Sequence, residues 1–356
     1  MRVFYVSSGL EGCYHVRCLL PLQANGWEGD KISYVKQFPS EIIQDMAKES
    51  EIVVFHRPDE PKKLKIARIL KKAGKKIVFD NVDTFKDDGG FKFNEFMNKE
   101  RMERGLATIN ETLDTFIKEA DLVTCSTEFL KKEYEKLNSN VVVLPNCIDP
   151  FYFDEPIKND TDKIRIGITG SVAITSDMDV LKPILDKYQN DDRVQIVLFS
   201  MPPQKNDKIT RELYFDEYAY WESIKNLEWQ PFVPMEKYYE TLNELKLDIM
   251  LIPRAETYFN KCKSNLKFLE ASMFKIPTIA QGFSTGDSPY EQNPEDQKHL
   301  LLAKNTDEFI EKIELLINDK ALREKIGEDA YNYVVENYDI NKKVHLWEKA
   351  YQSILK

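Results

Sequence analysis

Short β-rich runs alternate with helix-forming stretches along the whole chain, and they come in two sets. RVFYVS, EIVVFHR, KKIVFDNV, LVTCS and VVVLPN occupy the first half, and IRIGITG, VQIVLFS, DIMLIP and PTIAQ the second. Strands separated by helices cannot close as hairpins; they pair in parallel through right-handed crossovers. At 356 residues the chain is longer than a single hydrophobic core usually grows. The expected fold class is therefore α/β, with two Rossmann-like domains facing each other across a cleft and a junction near Pro145 to Pro156. In such sheets ligands lie beyond the carboxyl ends of the strands, so candidate residues are sought just after each run.

Composition narrows the function. A net charge of −10 argues against nucleic acid as a partner, because affinity for a phosphate backbone rests on clustered Lys and Arg. The five cysteines, at 13, 18, 125, 147 and 262, are odd in number and show no Cys-x-x-Cys spacing, the pattern of a reduced chain without a zinc site. MRVFYVSSG reads as a strand rather than a signal peptide, and no apolar run approaches about 18 residues. A cytoplasmic protein is expected. The basic run PKKLKIARILKKAGKK, Pro61 to Lys76, carries Leu64, Ile66, Ile69 and Leu70 on or near one face. It reads first as a crossover helix with its lysines in water, and second as a peripheral contact with anionic lipid.

Chemistry concentrates in FNKCKSNLKFLEASMFKIP, Phe259 to Pro277. A loop-to-helix junction there would offer unpaired N–H groups and a positive helix end to an anion, with Lys263 and Lys267 one turn apart and Ser264 and Asn265 between them. Glu270 lies three residues beyond Lys267, on roughly the same helical face, where a carboxylate can accept hydrogen bonds from vicinal sugar hydroxyls. Diphosphate at the tip with ribose one turn deeper describes a nucleotide-sugar. The bland reading is a set of solvated lysines and an exposed helix glutamate.

Elsewhere, Asp80 and Asp83 end a strand, where a carboxylate could serve as general base or orient a sugar; an Asx-turn or helix cap is the alternative. Gly9 and Gly12 follow the first strand and could admit a ligand close to the backbone, with His15 and Arg17 beginning the next helix as acceptor or phosphate contacts; His15 is also a catalytic candidate beside Asp80 and Asp83, with a structural histidine as the alternative.

IMLIPRAETYFNKCKSNLKFLEASMFKIPTIA, followed by Pro289-Tyr290, resembles the donor-site signature of GT-B glycosyltransferases of the family-4-like group (group 1), in which K-S-x-x-K-x-x-E precedes a small-residue helix and a Pro. GLEGCYHVRCLLPLQANGW, KKIVFDNVD, ADLVTCSTEFLKKEY, VVVLPNCIDPFYF and IRIGITGSV match in order, so the resemblance covers most of the chain. It implies an N-terminal acceptor domain over 1–152, a nucleotide-sugar domain over 153–335, and a helix over 336–356 returning to the N-terminal domain. It implies donor binding by Lys263, Ser264, Asn265, Lys267 and Glu270, the last on the ribose, with Gly170, Ser171, Phe232, Val233 and Tyr290 bordering the donor. No metal or cofactor is implied, the nucleotide-sugar being a substrate. These enzymes often carry a glutamate where this chain has Cys262, and Asn260 or Lys263 is the candidate substitute. An Arg and a Lys that many relatives place after the Gly170 position are missing from GSVAITSDMD. The expected reaction moves a sugar from a nucleoside-diphosphate sugar to a saccharide, lipid-linked or protein acceptor, with a lean toward retention. A sugar-nucleotide epimerase on the same fold would need more cleft acids than Glu11, Asp80, Asp83 and Glu270; a non-enzymatic nucleotide-sugar-binding protein is the alternative that the Cys262 departure and the missing Arg/Lys pair favour.

Overall fold

A computed structural model describes every residue except 8–11, 28–30, 34–43, 45–46, 85–98, 171–176, 201–214 and 293. Gly9, Glu11 and Ser171 lie outside the described residues.

Among the described residues two six-stranded sheets form, each wholly parallel. The first contains β1 (Val3–Ser7), β2 (Lys31–Ser33), β3 (Ile52–His56), β4 (Lys76–Asn81), β5 (Leu122–Cys125) and β6 (Val141–Val143), in the order β2-β1-β3-β4-β5-β6. The second contains β7 (Ile164–Gly170), β8 (Val194–Ser200), β9 (Leu227–Pro231), β10 (Ile249–Ile252), β11 (Thr278–Gln281) and β12 (Leu301–Ala303), in the order β12-β11-β10-β7-β8-β9. The inner strands read as unbroken apolar runs because helices cover both faces; β1 and β3 are buried at every residue.

The Pro61–Lys72 helix packs Leu64, Ile66, Ala67 and Leu70 against the first sheet. Ile69 falls off that stripe and is 46% exposed. The apolar face is therefore spent on the sheet, as in an ordinary crossover. Among the described residues no helix is long and apolar enough to cross a membrane.

The other face of the first sheet is covered from the far end of the chain. Ile340, Trp347, Ala350, Tyr351 and Ile354 join the cluster of Val3, Tyr5, Val54 and Leu122, and the Tyr351 and Tyr5 hydroxyls meet at 3.2 Å. The preceding Lys320–Asn337 helix belongs to the second sheet, and Gly327 is what allows its approach: a Cβ there would lie 2.0 Å from the Lys275 carbonyl oxygen.

Candidate active site

The Phe259 to Pro277 segment folds as two helices rather than one junction. A short helix, Tyr258–Lys261, ends at Cys262, and the Leu266–Met273 helix starts after Asn265. Lys263 thus precedes the second helix instead of sharing its first turn with Lys267. The cause is local: the Lys263 N–H closes a turn onto the Asn260 carbonyl. The two lysines diverge in consequence. Lys263 Nζ reaches the first sheet and donates to Asp83 Oδ2 at 2.9 Å, while Lys267 Nζ donates to Thr169 Oγ1 at 2.8 Å, beside the end of β7.

Glu270 lies one turn beyond Lys267 and is 7% exposed. Among the described residues its hydrogen-bond donor is the Tyr238 hydroxyl, 3.0 Å from Oε2. Burial pushes the Glu270 carboxyl above the usual carboxylate range, against the pull of Lys267 and Tyr238, and the same burial pushes the Lys267 ammonium down. A cation and a carboxylate, both poorly solvated and neither saturated by the protein, therefore sit together at the carboxyl ends of the second sheet's strands.

A second cation joins them. Arg254, just after β10, is pinned by Asp177 Oδ2 at 2.7 Å, and Asp177 Oδ1 accepts from Ala255 N–H and Asn260 Nδ2, both at 2.9 Å. Arg254 is close enough to Lys267 to help lower its pKa, after burial and against Glu270, and it hydrogen-bonds the buried Tyr290. The sequence reading passed over Arg254, although a cation directly after a strand-ending Pro was a usable signal. Tyr238, Thr169 and Asp177 carried none, since each gains meaning only from its neighbours in space.

Other residues fall as follows. Ser264 Oγ accepts from Asn146 Nδ2 at 2.8 Å, a contact from one half of the chain to the other. Asn265 is buried and donates to the Tyr338 hydroxyl at 3.3 Å. Asn260 is 1% exposed and committed to Asp177 and the Ala255 carbonyl, so its amide N–H groups are already used. Gly170 ends β7 opposite Ser200. Phe232 is 47% exposed, with its N–H on the Ser200 carbonyl, and Val233 packs on the second core. Ser288 and Tyr290 are buried, Ser288 Oγ donating to the Gln281 carbonyl at 2.6 Å. Cys262 is 0% exposed and packs into the first sheet's core, and Tyr258, one turn earlier at the start of the short helix, donates to Glu133 Oε2 at 3.0 Å. Cys262 thus anchors this segment on the opposite half.

The first-sheet candidates divide. Asp80 and Arg17 were expected to face an acceptor or a phosphate, and they do not: Arg17 is 0% and Asp80 2% exposed. Arg17 donates to both Asp80 oxygens, at 2.6 and 3.2 Å; His56 Nδ1 lies 2.8 Å from Oδ2 and Thr124 Oγ1 donates to Oδ1 at 2.6 Å. Trp347 closes over the guanidinium at 5.9 Å. Burial would raise the Asp80 carboxyl, but Arg17 and His56 override it and hold it far below the usual range. Asp83 does reach the other half, through Lys263, with Arg57 3.7 Å from its second oxygen; burial pushes it up and these two cations bring it down. His15 is buried, edge-on to Tyr152 at 5.1 Å, and its Nε2 has no partner among the described residues; burial lowers its pKa, so the ring is neutral at pH 7. Gly12 starts a helix where a Cβ would meet Met235 Sδ at an ordinary 3.7 Å, so space does not demand glycine there.

Two facing parallel α/β sheets, a crossed-back tail and a cationic site between them define the GT-B glycosyltransferase class. Residues 185–349 match the glycosyl transferase-like family model, and the fold is that of GT-B glycosyltransferases. No curated protein matches it by sequence. Among solved structures it is similar to a sucrose-phosphate synthase from Thermosynechococcus elongatus, at 12% identity and TM-score 0.73 over 99% of this chain and 98% of that one. It is also similar to HepE from Anabaena in complex with UDP-glucose, at 10% identity and TM-score 0.65 over 99% of both chains. An α-glucosyltransferase in complex with UDP and DNA matches at 13% identity and TM-score 0.65 over the full length of both. Of the three readings opened by the sequence, the transferase is the one the family match supports.

Proposed function

We propose that the chain transfers a sugar from a nucleoside-diphosphate sugar to an acceptor hydroxyl in glycan or cell-surface polysaccharide synthesis. The observation that carries this is the grouping of Lys267, Arg254 and Glu270 at the carboxyl ends of β7 and β10, with Lys263 across the cleft. Three cations there would balance a diphosphate, and a desolvated carboxylate beside them would take hydroxyl donors from a ribose. In the reaction the bond from the anomeric carbon to the phosphate oxygen breaks, the nucleoside diphosphate leaves with the bonding pair, and the acceptor oxygen bonds the carbon as its proton passes to the departing diphosphate. Lys263, Lys267 and Arg254 would stabilise the charge that grows on the leaving diphosphate, so catalysis is electrostatic and positional. Arg254 takes over the duty of the cations missing after Gly170.

Asp83 is assigned to the acceptor side, with His15 lining the same cleft. The chain's net charge of −10 favours a saccharide, lipid-linked or protein acceptor over a nucleic acid. The UDP-glucose and UDP of two structural neighbours support a uridine diphosphate donor. Retention of anomeric configuration and transfer without a metal complete the proposal. The test is a thermal-shift panel of nucleoside diphosphates and nucleotide-sugars on the wild-type protein and on Glu270→Ala. One nucleotide series should stabilise the wild type and lose its effect in the variant; stabilisation by none would overturn the proposal. Nuclear magnetic resonance of the product's anomeric proton then reads retention directly.

A further inference from the structure

We propose that Tyr238 is a positioning residue that makes Glu270 selective for a ribonucleotide over its 2′-deoxy counterpart. The inference rests on the donor-site reading above, and its evidence is the way the hydroxyl is held. A carboxylate offers about four lone-pair sites over two oxygens. Tyr238 takes Oε2 at 3.0 Å, which leaves Oε1 with no donor among the described residues. The phenol ring is fixed, stacked on Phe199 at 5.2 Å and 22° and edge-on to Tyr239 at 5.5 Å. Its hydroxyl is also within reach of Thr169, the residue that accepts from Lys267 at 2.8 Å.

The order of donors along this chain decides what Glu270 can recognise. Lys267 donates to Thr169, and Tyr238 donates to Glu270. Burial first, then Glu270 itself, raise the Tyr238 phenol far above its ordinary pKa, so it remains a donor across the working range. The free lone pairs of Glu270 then accept only from a ligand's O–H or N–H. A ribose presents two adjacent hydroxyls to such an oxygen, and a deoxyribose one. Without the phenol hydroxyl the carboxylate would turn toward Lys267, its nearest counter-charge, and away from the sugar. Tyr238 thus keeps a desolvated carboxylate facing outward when an ion pair would draw it in. Sites built to hydrogen-bond a ligand hydroxyl reject the analogue lacking it, because the buried acceptor is left unpaired.

The experiment is calorimetric titration of the full chain with UDP and 2′-deoxy-UDP, and with the ADP and GDP pairs, on wild type and Tyr238→Phe. The wild type is expected to favour the ribonucleotide by about tenfold or more, and Tyr238→Phe to reduce that ratio to within about threefold. A merely structural role would weaken both nucleotides equally and leave the ratio unchanged, which would overturn the inference. Equal wild-type affinity for the two nucleotides would also overturn it while leaving the donor-site reading intact. Absence of binding by any of the six would overturn both. Should Tyr238→Phe fail to fold, Phe199→Leu loosens the stacked ring while keeping the hydroxyl; a lowered ratio supports the inference, and an unchanged one defeats it.

Discussion

Asp80 and Glu270 are both buried carboxylates, one in each half of the chain, and the protein treats them in opposite ways. Asp80 is answered by Arg17, His56 and Thr124, with Trp347 of the C-terminal tail over the guanidinium. Glu270 is answered by one tyrosine and faces a neighbouring lysine whose ammonium donates to Thr169 instead. Their pKa values move apart accordingly, Asp80 down because charge partners outweigh burial, Glu270 up because burial outweighs its partners. A saturated buried charge belongs to the scaffold, and a desolvated, half-answered one is a place where ligand groups gain the most by arriving. The same test separates Arg17, which has no remaining capacity to spare, from Lys267.

The largest effect should come from breaking the saturated pair. Asp80→Ala leaves the Arg17 guanidinium buried at 0% exposure without its counter-charge, and removal of one partner from such a pair typically costs about 3 to 5 kcal/mol. Urea unfolding monitored by circular dichroism measures it. Arg17→Met combined with Asp80→Leu should recover most of that loss; if the double variant is as unstable as the single one, the charge argument is wrong.

Glu270→Ala should change stability by about 1 kcal/mol or less, since the residue removed was already disfavoured in its charged form. It should instead abolish the nucleotide-induced stabilisation, which for a ligand at a hundredfold its dissociation constant is about 2.7 kcal/mol. A variant that keeps this ligand shift would erase the contrast with Asp80.

How far this contrast could be read beforehand depended on whether the signal was local. The inner strands announced themselves as apolar runs, because a parallel strand covered on both faces has no polar period to hide it. Three of the four edge strands did not: β2 and β12 are three residues long, and β9 mixes half-buried with exposed residues. Lys263, Lys267 and Glu270 were visible because their spacing is a chain property. The partition between structure and site was not, because Asp80 reads as a strand-end acid until Arg17, 63 residues earlier, is found bonded to it. Arg254 and Tyr238 are likewise separated in the chain from the lysine and glutamate they serve.

A smaller effect is expected where the two halves meet. Lys263 and Asp83 form a partly buried pair, with side chains 25% and 8% exposed. Lys263→Met should cost about 1 kcal/mol in thermal unfolding, near the upper end for incompletely buried pairs, and should weaken nucleotide binding as well. If binding is untouched, Lys263 belongs with Arg17 on the structural side of the comparison.

The effect sharpest in sign lies in pH. Asp80 has a folded pKa below its unfolded value of about 3.9, so its contribution is fully present above that value and is lost as the solution is acidified through the folded pKa. Glu270 has a folded pKa above its unfolded value of about 4.3, so its contribution is present below that value and is lost as pH rises through the folded pKa. The stability of wild type minus Glu270→Gln should therefore fall as pH is raised from about 4.3 and then level off, while wild type minus Asp80→Asn should fall in the opposite direction, on acidification below about 3.9. Unfolding by urea at a series of pH values reads both differences in one protein preparation each. Parallel slopes for the two variants would mean that the carboxylates share one environment, and the division between scaffold and site would have to be redrawn around Tyr238 and Arg17 rather than around their partners.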